Sequence, residues 1–160
     1  MSPYSQEVLK YLNLGIESEL QAYVFYKKVM EKINDEETLE AVRKLAEDEK
    51  HHFLQLEDEY DKSVRSEMWA PYRDIMRKEG LPDIDEHISE THKELLARVD
   101  KLKTKREIFE VALELEKEAY ELFAGFYEKT DDEEAKKLFQ FLMNFEKGHV
   151  LTVENMLKNL

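Results

Sequence analysis

Four segments of this chain carry apolar residues at the three- and four-residue spacings of an amphipathic helix, and a glutamate interrupts the apolar face of each. Two of the segments also place a histidine three residues after that glutamate. The apolar face of such a helix packs into a core, so each segment carries a carboxylate inward. The interrupting residues are Glu19, Glu49, His52, Glu116, Glu146 and His149.

The four segments form an internal repeat. Residues 17–57 align without a gap on residues 114–154, at an offset of 97, with 15 identities in 41 positions. The alignment pairs Glu19 with Glu116 and superimposes the only two Glu-x-x-His motifs of the sequence. Shared helical composition does not explain this common frame. The sequence therefore predicts two similar helical hairpins.

Capping residues predict where the four long helices begin. Ser2, followed by Pro3, is a suitable N-cap for the first helix, and Asp35 is one for the second. Thr104 opens the third with a capping-box sequence. Asp132 precedes the fourth. We therefore expect a first hairpin over about residues 3–60 and a second over about residues 104–160.

The segment between the hairpins, about residues 61–103, is too long for a tight turn. Its pattern predicts short helical pieces over residues 72–79, before Gly80, and over residues 84–99. A connection of this length runs along the bundle as a crossover. We expect a single domain over residues 1–160, an all-α, ferritin-like antiparallel four-helix bundle of two repeated hairpins joined by this crossover.

Four inward carboxylates impose an electrostatic requirement on such a bundle. Burying one ionised carboxylate is costly, and neighbouring carboxylates raise one another's pKa. Two divalent cations balance four negative charges, while imidazoles bind as neutral ligands. Carboxylates with one imidazole per metal suit iron or manganese. One Glu from each of two helices, with Glu-x-x-His from each of the others, is the pattern of di-iron and di-manganese bundles.

The sequence therefore predicts a site for two metal ions, iron first and manganese as the alternative, ligated by the six residues named above. Tyr26 is a candidate for a hydrogen bond to a ligand carboxylate. His51 lies one position off the apolar stripe, and Glu17 lies two positions before Glu19. We expect His51 either at the surface or beside a metal ligand, and Glu17 to point away from the core.

Composition and charge exclude several kinds of site and partner. Lys and Arg number 24 against 37 Asp and Glu, so the net charge of −13 disfavours nucleic acid and anionic membranes as partners. The absence of Cys excludes disulfides, thiolate zinc sites and iron–sulfur clusters from this sequence. Because neither a signal-peptide pattern nor a long apolar run is present, we expect a cytoplasmic protein.

The segments around the six residues resemble the ligand helices of the rubrerythrin family; they read GIESELQAYVFY, AEDEKHHF, ELEKEAYELF and FEKGHV. The resemblance covers roughly residues 5–58 and 105–158 and implies a di-iron site on the same six residues and a homodimer. Two features depart from the family. Ala119 stands where classical members have an additional ligand Glu, and the rubredoxin-like Cys-ligated iron domain is missing.

The resemblance implies an oxidoreductase that reduces hydrogen peroxide or dioxygen at the di-metal centre. Without a rubredoxin-like domain, a peroxidase of this kind needs a separate electron-donor protein. Two alternatives stay open: a dimanganese enzyme that disproportionates peroxide as a catalase does, and a non-catalytic bundle that binds or stores iron.

Overall fold

The computed structural model of this chain describes residues 4–64, 70–83 and 86–160. These residues form seven α-helices and a single 3-10 turn, Met30–Lys32, and contain no strand. The all-α prediction is confirmed. The helices are α1 (Gln6–Val29), α2 (Glu36–Ser63), α3 (Ala70–Met76), α4 (Glu86–Thr91), α5 (Lys93–Asp100), α6 (Lys105–Lys129) and α7 (Glu133–Lys158).

The four long helices form the bundle. α1 packs along α2 and α6 along α7, and the two hairpins meet chiefly where α1 packs on α6. A short turn joins the helices of each hairpin, so they run antiparallel. Apolar side chains from all four helices make up one core, including Leu12, Phe53, Phe123 and Phe139. The predicted ferritin-like bundle of two repeated hairpins is confirmed.

Three of the predicted helix starts are confirmed by their capping hydrogen bonds. The Asp35 side chain accepts from the Thr38 N–H at the start of α2. At the start of α6, Thr104 and Glu107 form the reciprocal capping box. The Asp132 side chain accepts from the Ala135 N–H before α7. Local side-chain chemistry thus fixes these three boundaries.

The predicted start of the first helix is wrong. Ser5, not Ser2, is the N-cap of α1, and its Oγ accepts from the Val8 N–H at 3.2 Å. Tyr4 explains the later start, since its N–H donates to Ser63 Oγ at 2.9 Å and its hydroxyl donates to Glu59 Oε2 at 2.7 Å. These contacts hold the non-helical Tyr4 against the end of α2. Ser2 and Pro3 lie outside the described residues.

The crossover contains three short helices. The first predicted piece is observed as α3, which begins earlier, at Ala70, and ends at Met76; Gly80 follows with a φ of 72°. The second is divided into α4 and α5 at His92, whose φ and ψ of −116° and 26° interrupt the helix. Residues 84 and 85 lie outside the described residues.

Two side chains of the first hairpin hold the crossover. The Tyr23 hydroxyl donates to Pro82 O at 2.7 Å, and Lys50 Nζ donates to the carbonyls of Lys78 and Gly80. These bonds satisfy backbone carbonyls that no regular helix partners. Among the described helices, none combines the length and the apolar character that a bilayer crossing requires.

Candidate metal centre

Each of the four long helices delivers a glutamate to the middle of the bundle. Glu19 comes from α1 and Glu116 from α6, and their carboxylates are at most 1% exposed. α2 and α7 each bring a Glu and, one helical turn later, a His. The structure brings together all six residues that the sequence singled out, listed in full as Glu19, Glu49, His52, Glu116, Glu146 and His149.

The six residues form two overlapping groups of four. Within each group, every residue offers one ligand atom, and these four atoms all lie within 4.8 Å of one another. The first group, called here the His52 position, contains Glu19 and His52. The second, called the His149 position, contains Glu116 and His149. Glu49 and Glu146 belong to both groups, so their carboxylates lie between the two positions. This is the arrangement that two bridging carboxylates need to hold a pair of metal ions.

Both imidazoles turn the same ring nitrogen towards the carboxylates. His52 Nδ1 lies 3.6 Å from Glu19 Oε1 and 3.5 Å from Glu146 Oε1. His149 Nδ1 lies 2.9 Å from an oxygen of Glu49 and 3.0 Å from one of Glu116. Each histidine therefore presents one nitrogen to the centre of its own group.

Several of these buried atoms have no hydrogen-bond partner. Both carboxylate oxygens of Glu19, Glu49 and Glu146 are without one, and so is His52 Nδ1. Leaving a buried polar atom unpaired costs about 1–3 kcal/mol, and more when the group is charged. Oxygen donors with one imidazole per position are the ligands that iron and manganese accept. The donor set thus fits two such ions.

Burial and mutual repulsion set the protonation of the cluster. Burial raises the pKa of Glu19 and of Glu49 well above its usual value, and the Glu146 charge adds to both effects. Burial raises the pKa of Glu116 in the same way, with Glu49 adding. Burial also acts to raise the pKa of Glu146, but the close approach of His149 and His52 to its oxygens, at 3.4 and 3.5 Å, outweighs burial and lowers the pKa overall.

Burial acts to lower the pKa of His149, but the carboxylates of Asp48 and of three glutamates, all within 3.4 Å of its ring nitrogens, raise the pKa overall, far above 6.5. Without metal, the directions of these shifts favour three protonated carboxyls, one carboxylate and one imidazolium in the cluster. Two divalent ions replacing these protons leave the net charge of the cluster unchanged.

Residues outside the two groups contact the candidate ligands. The Tyr26 hydroxyl donates to Glu116 Oε1 at 2.8 Å, the kind of contact that the sequence suggested for it. Asp48 Oδ2 lies 3.0 Å from His149 Nε2. The ring of Phe145 meets that of His52 edge-on, with the centroids 4.5 Å apart.

Sequence reasoning missed Asp48 and Phe145. The two residues occupy the same position of the internal repeat, and the alignment at the offset of 97 pairs the acidic Asp48 with the aromatic Phe145. The alignment does not show which residues they contact, because both contacts cross between helices. Asp48 on α2 contacts His149 on α7, and Phe145 on α7 contacts His52 on α2.

Other residues singled out from the sequence stay away from the centre. His51 and Glu17 are exposed. Ala119 is buried and brings no donor to the place of the family's additional Glu.

A helical bundle that buries four glutamates and two histidines in two overlapping groups defines the class of ferritin-like di-metal carboxylate proteins. The family model described as Rubrerythrin matches residues 10–157, and the chain belongs to the rubrerythrin family. No curated protein and no solved structure is significantly similar to the chain. Family and cluster together indicate a di-metal site.

Proposed function

We propose that this protein is an oxidoreductase that reduces hydrogen peroxide or dioxygen at a di-metal centre, iron first and manganese as the alternative. The proposed ligands are the six residues of the two groups. The observation that carries the proposal is the sharing of Glu49 and Glu146 between two otherwise separate groups, each with its own histidine. Glu49 and Glu146, shared in this way, are the residues that would hold two ions in one site, as a two-electron reduction of an O–O bond by a metal pair requires.

When bound, a pair of iron or manganese ions that changes from the divalent to the trivalent state supplies the two electrons that convert hydrogen peroxide and two protons into two water molecules. The chain's own residues prepare the site. Four carboxylates neutralise the four positive charges of two divalent ions, and the Tyr26 hydroxyl orients Glu116. The Phe145 ring, edge-on to both histidines, limits the access of water on that side of the site.

The proposed reaction consumes two electrons for each peroxide, so it would need a reductant. The sequence has no Cys, and no thiolate-ligated iron centre can form on it. We therefore propose a separate electron-donor protein. A cytoplasmic location and a homodimer are further proposals, which rest on the sequence pattern and on the family resemblance.

Metal analysis and a single-turnover experiment test the proposed function. Protein purified without added metal is expected to contain close to two iron or manganese ions per chain. After anaerobic reduction, one equivalent of hydrogen peroxide should oxidise the centre rapidly, as followed by stopped-flow absorption. Glu116→Gln should abolish this reaction, and Glu17→Gln, which changes an exposed carboxylate on α1, should leave it intact.

Other outcomes contradict the proposal. Zinc alone, or a reduced centre that does not respond to peroxide or dioxygen, would exclude redox catalysis. Oxygen evolution from peroxide by the manganese protein without any donor would support the catalase-like alternative. Uptake of many iron ions per chain would support storage.

A further inference from the structure

We propose that the two metal positions are inequivalent, and that the His149 position binds its ion first and more tightly because Asp48 and Tyr26 hold its ligands. In the internal repeat, the residues that align with Asp48 and Tyr26 are Phe145 and Phe123, which offer no hydrogen bond. This inference rests on the proposed two-metal centre and adds an order of loading to it. Asp48 is a positioning residue in this scheme, since it acts on the metal through His149.

The internal repeat identifies the asymmetry. At the offset of 97, all six candidate ligands fall on a residue of the same type, so the ligands themselves are symmetric. The residues that contact them are not. Asp48 aligns with Phe145, and Tyr26 aligns with Phe123. The His149 position therefore has two polar neighbours, Asp48 and Tyr26, whose counterparts in the repeat are phenylalanines. The Phe145 ring meets both histidines edge-on, with its centroid 4.5 Å from that of His52 and 5.2 Å from that of His149.

His149 is oriented by a carboxylate on its outer nitrogen. Asp48 Oδ2 lies 3.0 Å from His149 Nε2, and the Asp48 side chain retains 23% exposure. Because a carboxylate accepts, the Nε2–H donates to it, and Nδ1 is the nitrogen that would release its proton and bind a metal. A carboxylate in this place fixes the tautomer and the ring orientation and raises the basicity of the ligand nitrogen.

Glu116 is also held before any metal binds. Its Oε1 accepts from Tyr26 at 2.8 Å, and its Oε2 lies 3.0 Å from His149 Nδ1. Glu19, its counterpart, has no hydrogen bond on either oxygen. The ligands specific to the His149 position are thus preorganised by hydrogen bonds, and binding there orders fewer side chains.

Aromatic packing replaces these hydrogen bonds at the His52 position. The edge-on Phe145 ring lies against His52, and within the described residues no carboxylate contacts His52 Nε2. Phe123 packs against α1 one turn before Glu19, where a Cβ added to Gly15 would lie 2.9 Å from its Cε1. The Phe145 ring confines the His52 imidazole sterically but accepts no N–H hydrogen bond as a carboxylate does, so it does not fix the tautomer of His52.

Titration of the metal-free protein with Co²⁺ tests the order of loading. Calorimetry and visible absorption should resolve two steps, with affinities about 10–100-fold apart, the usual effect of such outer contacts. Glu19→Gln should spare the tighter step and Glu116→Gln should remove it, which assigns that step to the His149 position. Asp48→Asn should weaken the tighter step about 10–100-fold, and Asp48→Glu should restore part of the loss.

Matched variants separate positioning from general charge or folding effects. Glu47→Gln removes the same charge from the neighbouring, exposed position of α2 and should change neither step. Phe145→Asp, at a half-buried position, should strengthen the weaker step and bring the two affinities together. Circular dichroism and melting of each metal-free variant verify that it folds.

Two results would overturn the inference. One is a wild-type titration in which both ions bind in a single step; the other is an Asp48→Asn protein, folded, that titrates like Glu47→Gln. In both cases two ions still bind, so the proposed function survives. A wild-type protein that binds no Co²⁺ contradicts the di-metal centre itself.

Discussion

Glu49 and Glu146 each lie in both metal-binding groups, whereas Glu19 and Glu116 each lie in only one. A shared carboxylate should matter to both ions. We predict that Glu146→Gln lowers the metal content from two ions per chain to less than one, while Glu116→Gln leaves about one. Mass spectrometry of the loaded, dialysed proteins measures this. Glu17→Gln is the control and should retain both ions; equal losses in the Glu146 and Glu116 variants would contradict the shared role.

Two helical glycines differ in the space around them, and this difference predicts opposite effects of substitution by alanine. A Cβ at Gly15 would meet the fully buried ring of Phe123 at 2.9 Å, whereas one at Gly148 would meet nothing within 4 Å. Overpacking costs about 1–3 kcal/mol, against a gain of about 1 kcal/mol from helix propensity. We predict that Gly15→Ala lowers the free energy of unfolding and that Gly148→Ala raises it by about 0.5–1 kcal/mol. Urea denaturation of the metal-free proteins measures both, and a stabilised Gly15→Ala would contradict the close contact.

Among the helices, the starts that the sequence predicted correctly are those set by side chains close by in the sequence. Asp35, Thr104 and Asp132 cap helices because their side chains reach N–H groups only two or three residues away. The start of α1 was mispredicted because a distant contact, from Tyr4 to Ser63 and Glu59, competes with the local signal. The same limit applies to the site: spacing placed six ligands on inward faces, but the reach of Asp48 across to α7 depends on helix packing.

The crossover depends on contacts of this long-range kind. Lys50 Nζ donates to the carbonyls of Lys78 and Gly80, while its repeat counterpart Lys147 is exposed. We predict that Lys50→Met leaves these carbonyls without their partner and lowers the free energy of unfolding by about 1–3 kcal/mol. Cleavage by protease within residues 70–83 should also become faster. Lys147→Met makes the same change in charge and should stay within about 0.5 kcal/mol of wild type; equal effects of the two variants would show that Lys50 does not anchor the crossover.

For the molecule as a whole, the buried cluster links stability to pH. Glu19, Glu49 and Glu116 have pKa values raised above the ordinary 4.5, so they stabilise the metal-free fold below that pH relative to higher pH. As the pH rises through their folded pKa values, this contribution is lost, because the unfolded chain has already released the protons. His149 acts in the same direction from 6.5 upward. Glu146, with a lowered pKa, acts in the opposite direction but is one group against four.

We therefore predict that chelation lowers the melting temperature more at about pH 7.5 than at about pH 5.5. Scanning calorimetry of the metal-loaded and metal-free proteins at both pH values measures the difference. Replacing Glu17 by Gln should leave it unchanged, because that carboxylate is exposed. A chelation effect of equal size at both pH values would mean that the carboxyls are already ionised in the metal-free fold.

The same charge balance predicts that metal uptake releases protons. In the metal-free protein, the raised pKa values of Glu19, Glu49, Glu116 and His149 favour a proton on each of them, which leaves the cluster neutral. With two divalent ions, the four carboxylates would balance the metal charge instead. Loading both positions at neutral pH should therefore release about four protons. Calorimetric titration with Mn²⁺ in buffers of different ionisation enthalpy counts them. Glu116→Gln cannot supply its proton and loads only one ion, so it should release fewer protons. A wild-type count near zero would contradict the prediction. It would mean that the buried carboxylates are ionised side by side without metal, a state that burial and mutual repulsion oppose.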